Sequence, residues 1–200
     1  MTRLLAAVCA LLLAALTSCS AASDGKTRES SHGRVDVDTA ALRHARSQAG
    51  VEPCRPGTSR SRLPETTLPC LGGGKDVDLH RLKGPLVINL FAQWCGPCRS
   101  ELPYYQKLHR KARGQVDVIG IDYLDTQPKA ALELVMDSGV TYPLLADPAG
   151  DLREPFRVRG LPGIVLVDAD GNVTVQLRVF RSYNELRDLV QQQLDVRVQA

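Results

Sequence analysis

In the stretch "FAQWCGPCRSELP", residues 91–103 of this 200-residue chain, Cys95 and Cys98 are set three positions apart. A thiolate attacks disulfides, and a second thiol one helical turn away can displace whatever the first has captured. Such a pair therefore cycles between dithiol and disulfide. The apolar run Leu86–Phe91 before it has the character of a central strand, and Pro97 suits the first turn of a helix, where its missing N–H is not needed. The turn between them exposes Cys95 at a helix N-terminus, where unpaired N–H groups and the helix dipole favour a thiolate. Cys95 is the expected nucleophile and Cys98 the expected resolving thiol, with Gly96 leaving room for a partner's backbone. Glu101, one turn beyond Cys98, can serve as a titratable group if it is desolvated; as an isolated helix glutamate it is simply solvated. Trp94 shapes a docking surface around Cys95 or packs as a loop aromatic. Asn89, inside the apolar run, cannot carry a proton and is expected to be structural, hydrogen-bonded within the sheet.

The other four cysteines sort by position. Met1-Thr2-Arg3 is a basic start and Leu4 to Leu16 an apolar run, long enough for a signal peptide and short for a membrane span. Cys9 lies within that run. Leu16-Thr17-Ser18-Cys19 resembles a bacterial lipoprotein signal, with Cys19 lipidated and anchoring the protein to a membrane; a signal cut nearby, leaving Cys19 a free thiol, is the alternative. The expected organisation is a signal peptide over 1–18, a lipidated cysteine and flexible tether over 19–50, and one domain over 51–200. Thirty flexible residues reach about 30 Å. Outside the cytoplasm, the separated pair Cys54 and Cys70 suggests a structural disulfide, with free thiols as the alternative.

Composition narrows the function classes. The formal net charge is +3, from 25 Lys and Arg against 22 Asp and Glu, too balanced for nucleic-acid binding. The basic run Arg55 to Arg62 fits a solvated loop. His32, His44, His80 and His109 fall in the tether, a loop and a helix face, where they are expected to be solvated, and no second close CxxC or CxxH completes a zinc site. No metal and no cofactor is expected, and the domain is expected to be a monomer.

From Leu68 on, strands alternate with helices. Short strands are predicted at Asp76–Leu79 and Tyr142–Leu145, and core strands at Leu86–Phe91, Val116–Ile121 and Ile164–Val167, the last closed by the turn "DADGN" into a hairpin with Val173–Val179. Helices are predicted from Pro97 to Arg113, closed by Gly114, from Pro128 to Ser138, briefly over Asp151–Phe156, and from a Ser182 cap to Leu194. The tether shows only a weak helical patch, Thr39–Gln48.

Trp94-Cys95-Gly96-Pro97-Cys98 after an apolar strand resembles the thioredoxin active site, with Pro103 where that family kinks its helix. Gly160-Leu161-Pro162 before the strand Ile164–Val167 resembles the family's cis-proline loop, which implies a cis bond at Pro162 facing the cysteines. Glu101, the strand and helix between Val116 and Tyr142, and "GLPGIVLVDADGNV" resemble the exported, membrane-tethered branch that includes TlpA, ResA and the cytochrome c biogenesis thioredoxins. The similarity runs over Leu68–Leu194 and departs at Gly163, where many relatives carry Thr. It implies an α/β, thioredoxin-like three-layer sandwich: a mixed central sheet flanked by helices, with an inserted strand-helix unit. It also implies an extracytoplasmic, lipid-anchored thiol:disulfide oxidoreductase that reduces disulfides of exported proteins, apocytochrome c among them, and draws electrons from a membrane donor. A disulfide oxidase or isomerase, or a metal or haem-delivery protein using the same thiols, remains open on the residues alone.

Overall fold

Thr39, in extended backbone, accepts the Leu42 N–H at 3.2 Å and so caps helix α1, Ala40–Gln48, the first element of the computed structural model, which describes residues 35–199. The proposed signal segment and Cys19 lie outside the described residues. Residues 35–50 are not a free tether, which corrects the boundary expected at residue 50. Val37 and Leu42 are buried, the Gly72 N–H donates to the Val37 carbonyl at 2.9 Å, and Arg46 donates to the carbonyls of Gly73 at 2.5 Å and Glu52 at 2.8 Å. Gly72 and Gly73, both at positive φ, allow this approach, since a Cβ on either would strike Arg46 or Asp38.

A two-stranded antiparallel ribbon, β1 (Thr67–Leu68) and β2 (Val77–Asp78), precedes the main sheet. The sheet contains β3 (Leu86–Phe91), β4 (Asp117–Tyr123), β5 (Leu144–Asp147), β6 (Gly163–Val167) and β7 (Val173–Gln176), ordered β5-β4-β3-β6-β7. The first three are parallel; β6 and β7 run antiparallel to their neighbours, giving the expected mixed sheet. Helices α2 (Gly96–Lys111), α3 (Pro128–Asp137), α4 (Arg153–Phe156) and α5 (Tyr183–Leu194) complete the chain. The unit expected between Val116 and Tyr142 is β4 with α3.

All six β3 side chains are buried, because successive residues face opposite sides of a sheet covered on both. Val87 and Phe91 join the core under α1, α2, α3 and α5, with Leu102, Tyr105, Leu132 and Leu186. Leu86, Ile88 and Leu90 join the opposite core, with Leu68, Val77, Leu79 and Phe156. The second outer layer is thus built from the segment before β3 and the short α4 more than from long helices.

The expected hairpin partner reaches Val179, but β7 stops at Gln176. Ile164 pairs with Gln176, and one step further the partner chain reaches Gly163 and then Pro162, which has no N–H to extend the ladder. Leu177 and Val179 are left exposed. No helix of the described residues is long and apolar enough to cross a membrane.

Candidate active site

β3 delivers the chain to a tight turn in which the Cys95 N–H donates to the Ala92 carbonyl at 3.1 Å. Cys95 is the N-cap of α2, and its Sγ accepts the Cys98 N–H at 3.2 Å. The sulfur thus occupies the position where a side-chain oxygen caps other helices, and the same N–H and helix dipole stabilise it as a thiolate. Cys95 and Cys98 are joined as a disulfide with Cα atoms 5.3 Å apart, the oxidised state of the pair. Cys95 is only 4% exposed, which corrects the expectation of an open nucleophile: it belongs to the α2-side core, with Leu161 packed against that cluster. Gly96 and Pro97 beside it are exposed, and a Cβ on Gly96 would meet nothing within 4 Å.

Trp94 is half exposed, and its indole N–H donates to the Leu124 carbonyl at 3.1 Å. Asp125 accepts the Gln93 N–H and the Gln127 N–H, each at 2.8 Å, and so ties the cysteine turn to the loop between β4 and α3. Sequence reasoning missed Asp125; its signal was an Asp two residues past a strand and three before the helix-starting Pro128, the setting of an Asx turn. Asp122, also buried, has one carboxylate oxygen without a partner among the described residues, and burial, then the charge of Asp125, hold its carboxyl well above the usual range.

Across the sheet, the Leu161–Pro162 bond is cis. The antiparallel register pairs Leu90 with Gly163, which sets Pro162 level with Phe91 at the end of β3 from which the cysteine turn departs. A Cβ on Gly163 would lie 3.1 Å from Leu177 and 3.2 Å from Leu90, so a larger residue there needs its neighbours to give way.

Glu101 is 1% exposed. One carboxylate oxygen accepts the Phe180 N–H at 2.5 Å and the other has no partner among the described residues. Burial pushes its pKa up to about 7, more than the Phe180 N–H and the nearby Arg178 pull it down. The carboxyl is therefore desolvated, the first of the two alternatives the sequence left open. The Tyr105 hydroxyl, one turn further along α2, is buried and has no partner among the described residues. Burial and then the Glu101 charge raise its pKa well above the ordinary tyrosine value. Asn89 donates to the Tyr142 hydroxyl at 3.2 Å, a bond between side chains rather than within the strand ladder.

Cys54 and Cys70 form a disulfide, Cα atoms 6.0 Å apart, in the core on the far side of the sheet from Cys95 and Cys98. His109 and His80 are not solvated: His109 is buried with its Nε2 3.1 Å from Glu52, and His80 pairs with Asp78 at 2.5 Å. Helix position and neighbouring sequence carry no trace of Glu52, 57 residues away from His109. His44 is exposed, and His32 lies outside the described residues. Among the described residues no three His, Cys, Asp or Glu side chains are grouped to hold a metal.

Residues 60–176 match the model of the AhpC/TSA family. The thiol-disulfide oxidoreductase ResA of Bacillus thuringiensis subsp. konkukian is 29% identical over 117 residues, covering 58% of this chain and 67% of that protein. The thiol:disulfide interchange protein CycY of Rhizobium leguminosarum bv. viciae is 36% identical over 94 residues, covering 46% of this chain and about half, 49%, of its own length. Among solved structures, that of MTB DsbF in its mixed oxidized and reduced forms superposes with a TM-score of 0.60 at 30% identity, over 68% of this chain and 98% of that one.

Proposed function

The chain belongs to the AhpC/TSA family, with a thioredoxin fold, and on that premise we propose that it is an extracytoplasmic thiol:disulfide oxidoreductase that reduces disulfides of exported proteins. The observation that carries this is the Cys95 sulfur capping α2 through the Cys98 N–H, with the buried carboxyl of Glu101 one turn beyond Cys98. The relatives named as thiol-disulfide oxidoreductases support the same reaction class.

In the reduced protein the Cys95 thiolate attacks one sulfur of a substrate disulfide. A Cys95–substrate disulfide forms and the other substrate sulfur leaves as a thiolate. Glu101, as carboxylate, takes the proton of the Cys98 thiol. The Cys98 thiolate then attacks Cys95 Sγ, expelling the second substrate thiolate and closing the Cys95–Cys98 disulfide. Two electrons have passed to the substrate, which takes up two protons as a dithiol. A membrane-bound donor returns two electrons to the pair for the next cycle, while a lipid on Cys19 holds the domain at the outer face of the membrane. Trp94, Gly96, Pro97 and Pro162 frame the sulfur toward the substrate, and apocytochrome c before haem attachment falls within this substrate class.

Cys98→Ser tests the assignment, because it leaves the first attack intact and removes the second. Mixed disulfides between Cys95 and exported proteins are expected to accumulate; their absence under conditions where the native protein turns over would refute the nucleophile assignment. Equilibration with a thiol–disulfide buffer tests the direction. A potential near the thioredoxin value of about −270 mV supports a reductant, and one near about −120 mV makes the protein an oxidase.

A further inference from the structure

A groove of about 630 Å³ opens beside the cysteine turn. Trp94, the neighbour of Cys95, and Leu161, the neighbour of Pro162, both line it, which sets the groove beside the turn that carries the reacting sulfur. The rest of its rim comes from α4 and the segment after it. Arg157 closes that helix in the left-handed conformation, φ 52°, where glycine is the usual choice, and the Val158 N–H donates back to the Arg153 carbonyl at 2.9 Å. This reversal brings Arg153, Arg157 and Arg159 to one groove, all three exposed. Among the described residues none of the three guanidinium groups has an ion pair. Glu154 is the single acidic residue in the lining. Tyr123, 2% exposed, also lines the groove, and its hydroxyl has no partner among the described residues.

We propose that this groove recognises the partner polypeptide, and that the partner is acidic: a run of Asp and Glu beside its reacting cysteine lies against Arg153, Arg157 and Arg159 while the cysteine meets Cys95. The proposal rests on Cys95 attacking protein disulfides and adds the chemistry by which they are chosen. Trp94 offers a flat aromatic surface for the backbone next to the cysteine, and three guanidinium groups at separate rim positions match several carboxylates better than one compact anion. Planar guanidinium groups pair with carboxylates in a two-pronged geometry, and unpaired cations in a cleft raise both the encounter rate and the discrimination against basic partners.

The test follows one bond exchange. Synthetic peptides with one cysteine activated as a mixed disulfide with 4-thiopyridine are mixed with the reduced full chain: Cys95 attacks the peptide sulfur, the peptide–Cys95 disulfide forms, and 4-thiopyridone leaves and absorbs. The peptides differ only in flanking the cysteine with Asp and Glu, with Ser, or with Lys. At low ionic strength the acidic peptide is expected to react about tenfold faster than the lysine peptide, an advantage lost near about 0.5 M salt. The triple variant Arg153→Glu, Arg157→Glu, Arg159→Glu is expected to invert the ratio, and each single Arg→Gln variant to lower it. A ratio near one in the native chain, or one the triple variant leaves alone, overturns the acidic-partner assignment while the oxidoreductase reading stands. Release from none of the peptides overturns both. Binding to phosphatidylglycerol vesicles that the triple variant loses, with a peptide ratio of one, gives the groove to lipid headgroups and overturns the proposal.

Discussion

Glu101 shows how much a single carboxyl depends on what closes over it. Its place one turn past Cys98 is legible in "CRSE", but its burial and its one hydrogen-bond donor, the N–H of Phe180 79 residues later, are not. The same holds for Asp122 and Asp125: residue types can be read in order, while burial and mutual proximity are set by packing that spacing does not encode. Because burial disfavours the charged form, the folded-state pKa of about 7 lies above the ordinary 4.5. The associated stability is therefore complete below about pH 4.5 and is lost as pH rises through about 7. Glu101→Gln, which keeps an oxygen for the Phe180 N–H, removes this dependence. In thermal melts from pH 4 to 8 the variant is expected to gain on the native protein between pH 4.5 and 7 and to hold a constant difference above. The same substitution is expected to slow resolution of the Cys95 mixed disulfide by about 10²-fold and to erase its inflection near pH 7. A resolution rate that keeps the inflection would take Glu101 out of the proton pathway.

Elements with strong periodicity were the most legible: β3 falls on Leu86–Phe91, and Ser182 caps α5, accepting the Glu185 N–H at 3.3 Å. α1 was harder. Its patch, Thr39–Gln48, was visible, but one buried leucine in nine helical residues gives too little apolar signal to say that it packs. Much of what holds it is distant in sequence, the turn at Gly72 and Gly73, to which the Glu52 carbonyl, six residues past Arg46, adds a local bond. Full burial predicts that Leu42→Ala costs about 2–3 kcal/mol and Thr39→Ala about 1 kcal/mol. Urea unfolding of the full chain measures both, and losses under about 0.5 kcal/mol for each, the range of exposed sites, would return this segment to the tether.

At the scale of the whole molecule the two disulfides divide between the two faces of the sheet, and the halves of the chain do different work. Cys95 and Cys98 sit at the end of a central strand, while Cys54 and Cys70 belong to the irregular layer that covers the other face. The neighbours of Cys70 zip onto β5: Leu71 donates to Leu144 and Ala146 donates to Pro69, each at 2.9 Å. Cys54 arrives by a separate route, so the bond across a sequence separation of 16 fastens the N-terminal segment to the edge of the sheet. The sequence made this pairing plausible from compartment and count, but not its place in the fold, since edge contacts at Leu144 and Ala146 lie more than 70 residues downstream. In the chain-entropy model, closing a loop of this size stabilises the folded state by about 3 kcal/mol. The double variant Cys54→Ala, Cys70→Ala is therefore expected to lower the unfolding free energy by that amount, read as a lower urea midpoint at an unchanged slope, while releasing 4-thiopyridone from activated peptides at the native rate. Equal stability would mean the covering layer holds without its staple; a lost peptide reaction at native stability would mean the second disulfide exchanges electrons with the first.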